Sequence, residues 1–317
     1  MELHQLQCFI AVLEEGGFKR ATARLGITQP ALSYQIRRLE EELGVQVFHR
    51  GKGGITPTEA GTALLGRAHQ IISAVREAHR AVREKAGGVT GEVRIGTVKC
   101  VGTYFLPRVL LGIRAHHPMV RPKILYRDSD ELLEALLAHR LDVAMAVDPP
   151  PDARFVHQGV FDEQISLVSG PGHPFYGRHS IDLEELRAVQ IVSLSPRTSA
   201  GALIHTYLER AGISLVPTVT SDDVETVKKM IEAGLGVAFL PDMATQEEVA
   251  VRGRPARFWR SAVEPTLSLP LVLVTWRDSN HSLALDAFIE EVRQVGRVWD
   301  GTRGQPSEEQ PTKRQSH

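Results

Sequence analysis

Apolar positions recur at helical spacing over the first 43 residues, and the period then changes. Leu3, Leu6, Phe9, Ile10 and Leu13 mark a first helix, ended by Gly16-Gly17. Phe18, Ala21, Thr22 and Leu25 mark a second, stopped by Gly26. Thr28 is placed to cap a third, with Pro30 in its first turn, where a missing N–H costs little. The apolar row Leu32, Ile36, Leu39 and Leu43 steps by four, three and four, and Gly44 stops it. Residues 45–48 (Val-Gln-Val-Phe) then read as a short strand, 51–54 as a tight turn and Ile55-Thr56 as the return strand, which makes the hairpin a wing.

Residues 59–86 predict one long helix that Thr58 can cap. Leu64, Ala68, Ile71, Val75, Ala78 and Val82 alternate in steps of four and three, a heptad seam suited to pairing with a second helix. Gly87-Gly88 breaks the helix and makes a hinge. From residue 91, strands alternate with helices. Strands are expected at 92–97, 123–126, 142–147, 165–168, 189–194, 218–220, 237–240 and 269–275. Helices are expected at 104–116, 130–138, 200–211, 223–233 and 282–295, with a chain crossing near 159–164. This alternation implies an α/β body of parallel sheets covered by helices on both faces. The tail from Asp300, rich in Gly, Pro, Gln and charge, predicts disorder.

Charge separates head from body. The first 90 residues hold 12 Lys+Arg against 9 Asp+Glu, and the remaining 227 hold 25 against 29. A mildly basic head on an acidic body permits nucleic-acid contact. Two cysteines, Cys8 and Cys100, make no disulfide scaffold. No apolar run is long enough for a membrane span, and Met1–Gln5 lacks a signal-peptide layout, so a cytoplasmic protein is expected. Enzyme motifs are missing. There is no glycine-rich nucleotide loop, no Gly-x-Ser-x-Gly elbow and no metal spacing among the histidines, so neither catalysis nor a bound metal or cofactor is expected.

The informative segment is 18–33, a helix, a tight turn at Gly26-Ile27 and a second helix of roughly 22 Å, enough to lie in a major groove. With the apolar row inward, Pro30, Tyr34, Arg37 and Arg38 fall on the far side, flanked by Gln29 and Ser33. These types suit base edges and phosphates, and the wing adds His49, Arg50 and Lys52. Thr28, Gln29, Pro30, Ser33, Tyr34, Arg37, Arg38, Arg50 and Lys52 are the candidate DNA contacts.

This stretch closely resembles the LysR-type transcriptional regulators. The matching residues run from Ala21-Thr22-Ala23-Arg24-Leu25-Gly26-Ile27-Thr28-Gln29-Pro30-Ala31-Leu32-Ser33 through Leu43-Gly44, with Val47-Phe48-His49-Arg50 and Thr56-Pro57-Thr58-Glu59-Ala60-Gly61 beyond. Residues 234–241 (Gly-Leu-Gly-Val-Ala-Phe-Leu-Pro) fit the family's effector domain. Gly17 departs from the family, which usually places a capping Ser there, and Tyr34 stands where many relatives carry Arg. The resemblance implies an N-terminal winged helix-turn-helix (1–58, helix-turn-helix 18–37) and a dimerising linker helix with hinge (59–88). It also implies a two-lobed, periplasmic-binding-protein-like effector domain (89–299). Lobe I would be about 91–162 with 269–299, and lobe II about 163–268. It implies a homodimer or homotetramer on double-stranded promoter DNA, contact with RNA polymerase, and control by a small-molecule effector. A solute-binding protein shares the body fold, but the DNA-binding head argues against one.

Ligands of such bodies sit at the carboxyl ends of strands, beside helix N-termini. Four loops qualify. They supply Lys99, Cys100 and Thr103; Ser129; Ser195, Arg197 and Thr198; and Ser221. Two cations among hydroxyls suit a small anion. A thiol beside Lys99 and a helix start also raises redox sensing at Cys100, through a lowered pKa.

Overall fold

The computed structural model describes residues 1–51, 54–84, 88–213, 216–246, 257–277 and 281–301. Its head consists of α1 (Leu3–Glu14), α2 (Phe18–Leu25), α3 (Gln29–Leu43) and the hairpin β1 (Phe48–Gly51) with β2 (Gly54–Pro57). Gly26 and Gly44 end their helices in the left-handed conformation, at φ 66° and 69°, where a Cβ would be strained. Leu6, Phe9, Val12, Ala21, Leu32, Ile36, Leu39 and Val47 are buried in one core. The rings of Phe9 and Phe48 lie 5.2 Å apart.

The strand expected from Val45 starts later, at Phe48. Val45 and Gln46 are exposed, and the Val47 N–H donates 3.0 Å to Glu40 Oε1 rather than into the ladder. α4 (Glu59–Glu84) is 26 residues long, and Thr58 Oγ1 accepts from the Gly61 N–H at 3.0 Å. A Cβ on Gly61 would come 2.1 Å from the Val47 carbonyl, so only glycine lets α4 pack this close to the wing. Gly88 has a positive φ, while residues 85–87 of the expected helix end and hinge lie outside the described residues.

The body begins with β3 (Gly91–Thr97), α5 (Lys99–Tyr104), α6 (Leu106–His116), β4 (Val120–Tyr126), α7 (Ser129–Leu137) and β5 (Val143–Val147). It continues with β6 (Phe155–Ser169), β7 (Val192–Leu194), α8 (Ser199–Arg210), β8 (Val219–Ser221), α9 (Val224–Glu232) and β9 (Ala238–Pro241). β10 (Trp259–Ser261), β11 (Leu267–Trp276) and α10 (Leu283–Gly301) complete it. The seven-stranded sheet runs β10-β6-β11-β5-β3-β4, with β9 also on β6. Every residue of β5 is buried, as its unbroken apolar run requires of a central strand.

Four expectations change here. The large sheet is mixed rather than parallel: β3 pairs in parallel with β4 and β5, but β11 runs antiparallel to β5 and β6, while the small β7–β8 sheet is parallel as expected. The chain does not leave the sheet at 159–164, because β6 is one 15-residue strand, but its pairing shifts there: Leu271 faces Phe161 and Val272 faces Gly159, so Val160 is the extra residue of a bulge in β6. The expected helix 104–116 is two helices meeting at Phe105, whose ring is buried against Phe161 and Trp299. α10 continues through Asp300 to Gly301, so the tail does not begin at 300; residues 302–317 lie outside the described residues. β6 and β11 therefore pass between the two halves of the body and fix how they face each other.

Candidate functional site

On α3, Leu32, Ile36 and Leu39 are fully buried, and the 100° step leaves the opposite face to solvent. Gln29, Pro30, Tyr34, Arg37 and Arg38 are exposed there, and Ser33 is half-buried. Tyr34 is 57% exposed, which no core reading of an aromatic ring explains. Thr28 Oγ1 accepts from the Ala31 N–H at 3.4 Å, so this side chain caps the helix. Arg50 stands on β1 opposite Ile55, and Lys52 lies outside the described residues.

Lys19 and Arg20, exposed on the first turn of α2, extend this cationic face and were not singled out from the sequence. Their signal was available: cations at a helix start oppose its dipole, which favours a role outside the helix itself. Arg24 is different. It ties α2 to α1 through Glu14 and Glu15, at 2.6 and 3.3 Å.

The linker seam divides into two faces. Ala68 is fully buried with Ile72 and His69 against the head of its own chain, so Ala68 is not free for a partner helix. Leu64, Ile71 and Val75 are half-buried and Ala78 is exposed. This second stripe lies about 100° around the helix from the buried one at 100° per residue. The side chain of Val82 lies outside the described residues. His69 Nε2 stands 3.7 Å from Glu14 Oε1, yet burial outweighs that carboxylate and holds the imidazole down to about 4.

In the body, the starts of α5, α8 and α9 converge on a cavity of about 90 Å³ between the halves. Its floor is apolar, with Val98, Val101, Leu194, Met243, Leu269 and Leu271. Lys99, Cys100, Thr103 and Thr198 line it as expected. Arg197 reaches only the outer mouth, shared with Lys99, Arg127, Asp128 and Asp222.

The other three hydroxyls shape loops and do not line the cavity. Ser129 Oγ donates to the Val147 carbonyl at 2.9 Å and accepts from Ser199 Oγ at 3.0 Å. Ser195 Oγ accepts from the Arg197 N–H, and Ser221 Oγ accepts from the Asp223 N–H. Ser199, one position past the expected contact, lines the cavity instead.

The expected cations are not free. Lys99 Nζ lies 2.6 Å from Asp223 Oδ1, and Arg197 pairs with Asp222. Asp128, Asp222, Asp223 and Glu225 all border the cavity, and none of these carboxylates was singled out from the sequence. Burial raises the Asp128 carboxyl above its usual range, and neighbouring Glu131, Asp222 and Asp130 add to the shift. Asp222 is held below its usual range by a hydrogen bond from Ser195 and then by Arg197. Lys99 does the same to Asp223. The Cys100 thiol moves opposite to the redox expectation: burial pushes it up to about 12.

No helix among the described residues is long and apolar enough to cross a membrane. Residues 3–62 match the bacterial regulatory helix-turn-helix protein, lysR family, and residues 86–297 match the LysR substrate binding domain. The chain is 30% identical over 240 residues to the HTH-type transcriptional regulator CfxR of Cupriavidus necator, covering 76% of this chain and 75% of that one. It is 26% identical over 253 residues to the hydrogen peroxide-inducible genes activator of Haemophilus influenzae, covering 80% and 84%. The solved structure of full-length CbnR complexed with its target DNA superposes with a TM-score of 0.66 at 26% identity, covering 93% and 100%.

Proposed function

Because the chain belongs to the LysR family of DNA-binding transcriptional regulators, which carry an effector-binding domain, we propose how its own residues divide the work. α3 enters the major groove of promoter DNA. Gln29, Pro30, Ser33 and Tyr34 meet base edges, while Arg37, Arg38, Arg50 and Lys52 hold phosphates. Lys19 and Arg20 add to the phosphate contacts. The stripe Leu64, Ile71, Val75 and Ala78 pairs two linker helices, and two such dimers make a tetramer that acts in the cytoplasm and contacts RNA polymerase.

The inter-lobe cavity takes a small effector with an apolar body and one anionic end. The floor supplies the apolar contact. Lys99 and the N-terminus of α8, which Thr198 caps, supply charge and donors to the anion. The domain boundaries 1–58, 59–88 and 89–299 belong to the same proposal.

The observation that carries this reading is the joining, in one chain, of an outward cationic helix-turn-helix face to a cavity lined from both lobes. Footprinting on the DNA upstream of the chain's own gene tests it. A protected two-half-site operator is expected, and small carboxylates should change the protection pattern. Protection that is equally strong on unrelated DNA would sink the assignment of α3 as a sequence reader.

A further inference from the structure

At one side of the cavity lobe I meets lobe II through the six-residue helix α5 and the start of α9, while Ser129 and Ser199 join the lobes at the starts of α7 and α8. The outer contact is Lys99 Nζ to Asp223 Oδ1, at 2.6 Å. The other oxygen of Asp223 accepts from the Thr226 N–H at 3.1 Å and Thr226 Oγ1 at 2.8 Å, capping α9. The inner contact is Tyr104 with Glu225. Lys228 Nζ donates to the same Glu225 oxygen at 3.0 Å and stands 5.3 Å from the Tyr104 ring centroid. The two contacts differ in depth. The Lys99 side chain is 66% exposed, so its pair is weak and exchangeable. The Lys228 side chain is only 5% exposed, so its polar partners cannot be removed without leaving a buried charge poorly matched.

Resting on the effector-cleft reading above, we propose that the cleft carries its own competing ligand. The Asp223 carboxylate occupies Lys99 where an anionic effector would bind. Effector binding is then an exchange. The incoming carboxylate takes Lys99, Asp223 is released, and α9 loses its outer tie to α5. Only the Tyr104–Glu225–Lys228 contact then holds the lobes on that side. The unliganded protein is latched shut by α9, and an effector changes the lobe angle by displacing an internal carboxylate. An exposed pair in this position suits the task, since a ligand of modest affinity can displace it.

Asp223→Asn and Tyr104→Phe separate the latch from the fold, because Asn caps a helix as well as Asp and Phe keeps the ring. Spin labels on Glu134→Cys and Glu209→Cys, exposed on α7 and α8, report lobe separation in the full chain. Each latch variant should raise the population at long separation, and the double variant should raise it several-fold. A double variant as closed as its parent overturns the latch.

Benzoate titrated by calorimetry tests the exchange. Asp223→Asn should bind it on the order of tenfold more tightly than the parent, and adding Lys99→Ala should abolish the gain. Equal binding by parent and Asp223→Asn, lowered in both by Lys99→Ala, overturns the exchange and leaves the effector cleft standing. Opening without benzoate binding in any variant supports the latch and removes the anionic-effector reading.

Discussion

On α3, Tyr34, Arg37 and Arg38 stand in solvent around a buried row of Leu32, Ile36 and Leu39. In the cleft, Lys99 and Arg197 already hold Asp223 and Asp222. Both regions carry exposed cations, but those on α3 face open solvent, while Lys99 and Arg197 stand at the junction of the lobes beside Asp223 and Asp222. An outward cation can wait for a phosphate at little cost, because water solvates it. One at the lobe junction is solvated too, with Lys99 66% and Arg197 79% exposed, but a carboxylate of the protein is already within reach, so any ligand there must first compete with it. The head is therefore built for addition and the cleft for exchange.

The sharpest way to break this comparison is to unfold one region alone. The head and body have separate buried clusters. Leu39→Ala should cost about 2–5 kcal/mol in the head. Calorimetry should show the head transition lowered, the body transition unmoved and operator binding abolished. A joint fall of both transitions would mean that the two cores melt as one.

Next come substitutions that spare the fold. Tyr34→Ala should weaken operator binding by about 1–3 kcal/mol and relax sequence preference, while Arg37→Ala should weaken binding to all DNA alike and reduce the salt slope, both read by gel shift. Lys99→Ala should leave operator affinity without effector near the parent value. If Lys99→Ala weakens DNA binding as much as Arg37→Ala does, the two regions are not separate in function.

A pH scan sharpens the comparison at the junction. Burial holds the folded-state pKa of His69 at about 4, below its usual 6.5. The folded head therefore resists protonation there. Stability from the neutral ring is intact above about pH 6.5 and is lost as pH falls toward 4, by about 1–3 kcal/mol. Melting of the head against pH should show this slope, and His69→Gln should flatten it. A slope unchanged in His69→Gln would place its source in another group.

The smallest expected effect is at Gly17, which starts α2 without a side-chain cap. Its backbone is extended and a Cβ there meets nothing within 4 Å. Gly17→Ser should stabilise the head by a few tenths of a kcal/mol. A denaturant midpoint that does not rise would show that the Ser hydroxyl makes no cap here.

Most of the head was legible from its residues. The helix stops at Gly26 and Gly44, the cap at Thr28 and the inward row of α3 are local events, each settled within a few residues. The seam on α4 was legible as a pattern but not as a partner. Spacing marks Ala68 as a seam position, and only the packing of α1 against α4 shows that its own head covers it. In the cleft, loop positions at strand ends led to Lys99, Cys100, Thr103 and Thr198. They also led to Ser129, Ser195 and Ser221, whose hydroxyls are used in local hydrogen bonds.

What the sequence settled by itself was the set of local structures: where helices begin and end, which face of each is apolar, and that a helix-turn-helix precedes an α/β body. Short-range sterics, caps and the 3.6-residue period decide these things, and all of them act within a few turns of chain. What only the tertiary structure decided was which charges meet. Lys99 and Asp223 are 124 positions apart, and Tyr104 and Glu225 are 121 apart. No local pattern links such residues. They meet because β6 and β11 run unbroken between the lobes and bring the first turn of α9 onto α5, where Coulomb attraction at close range pairs cations that the sequence left open.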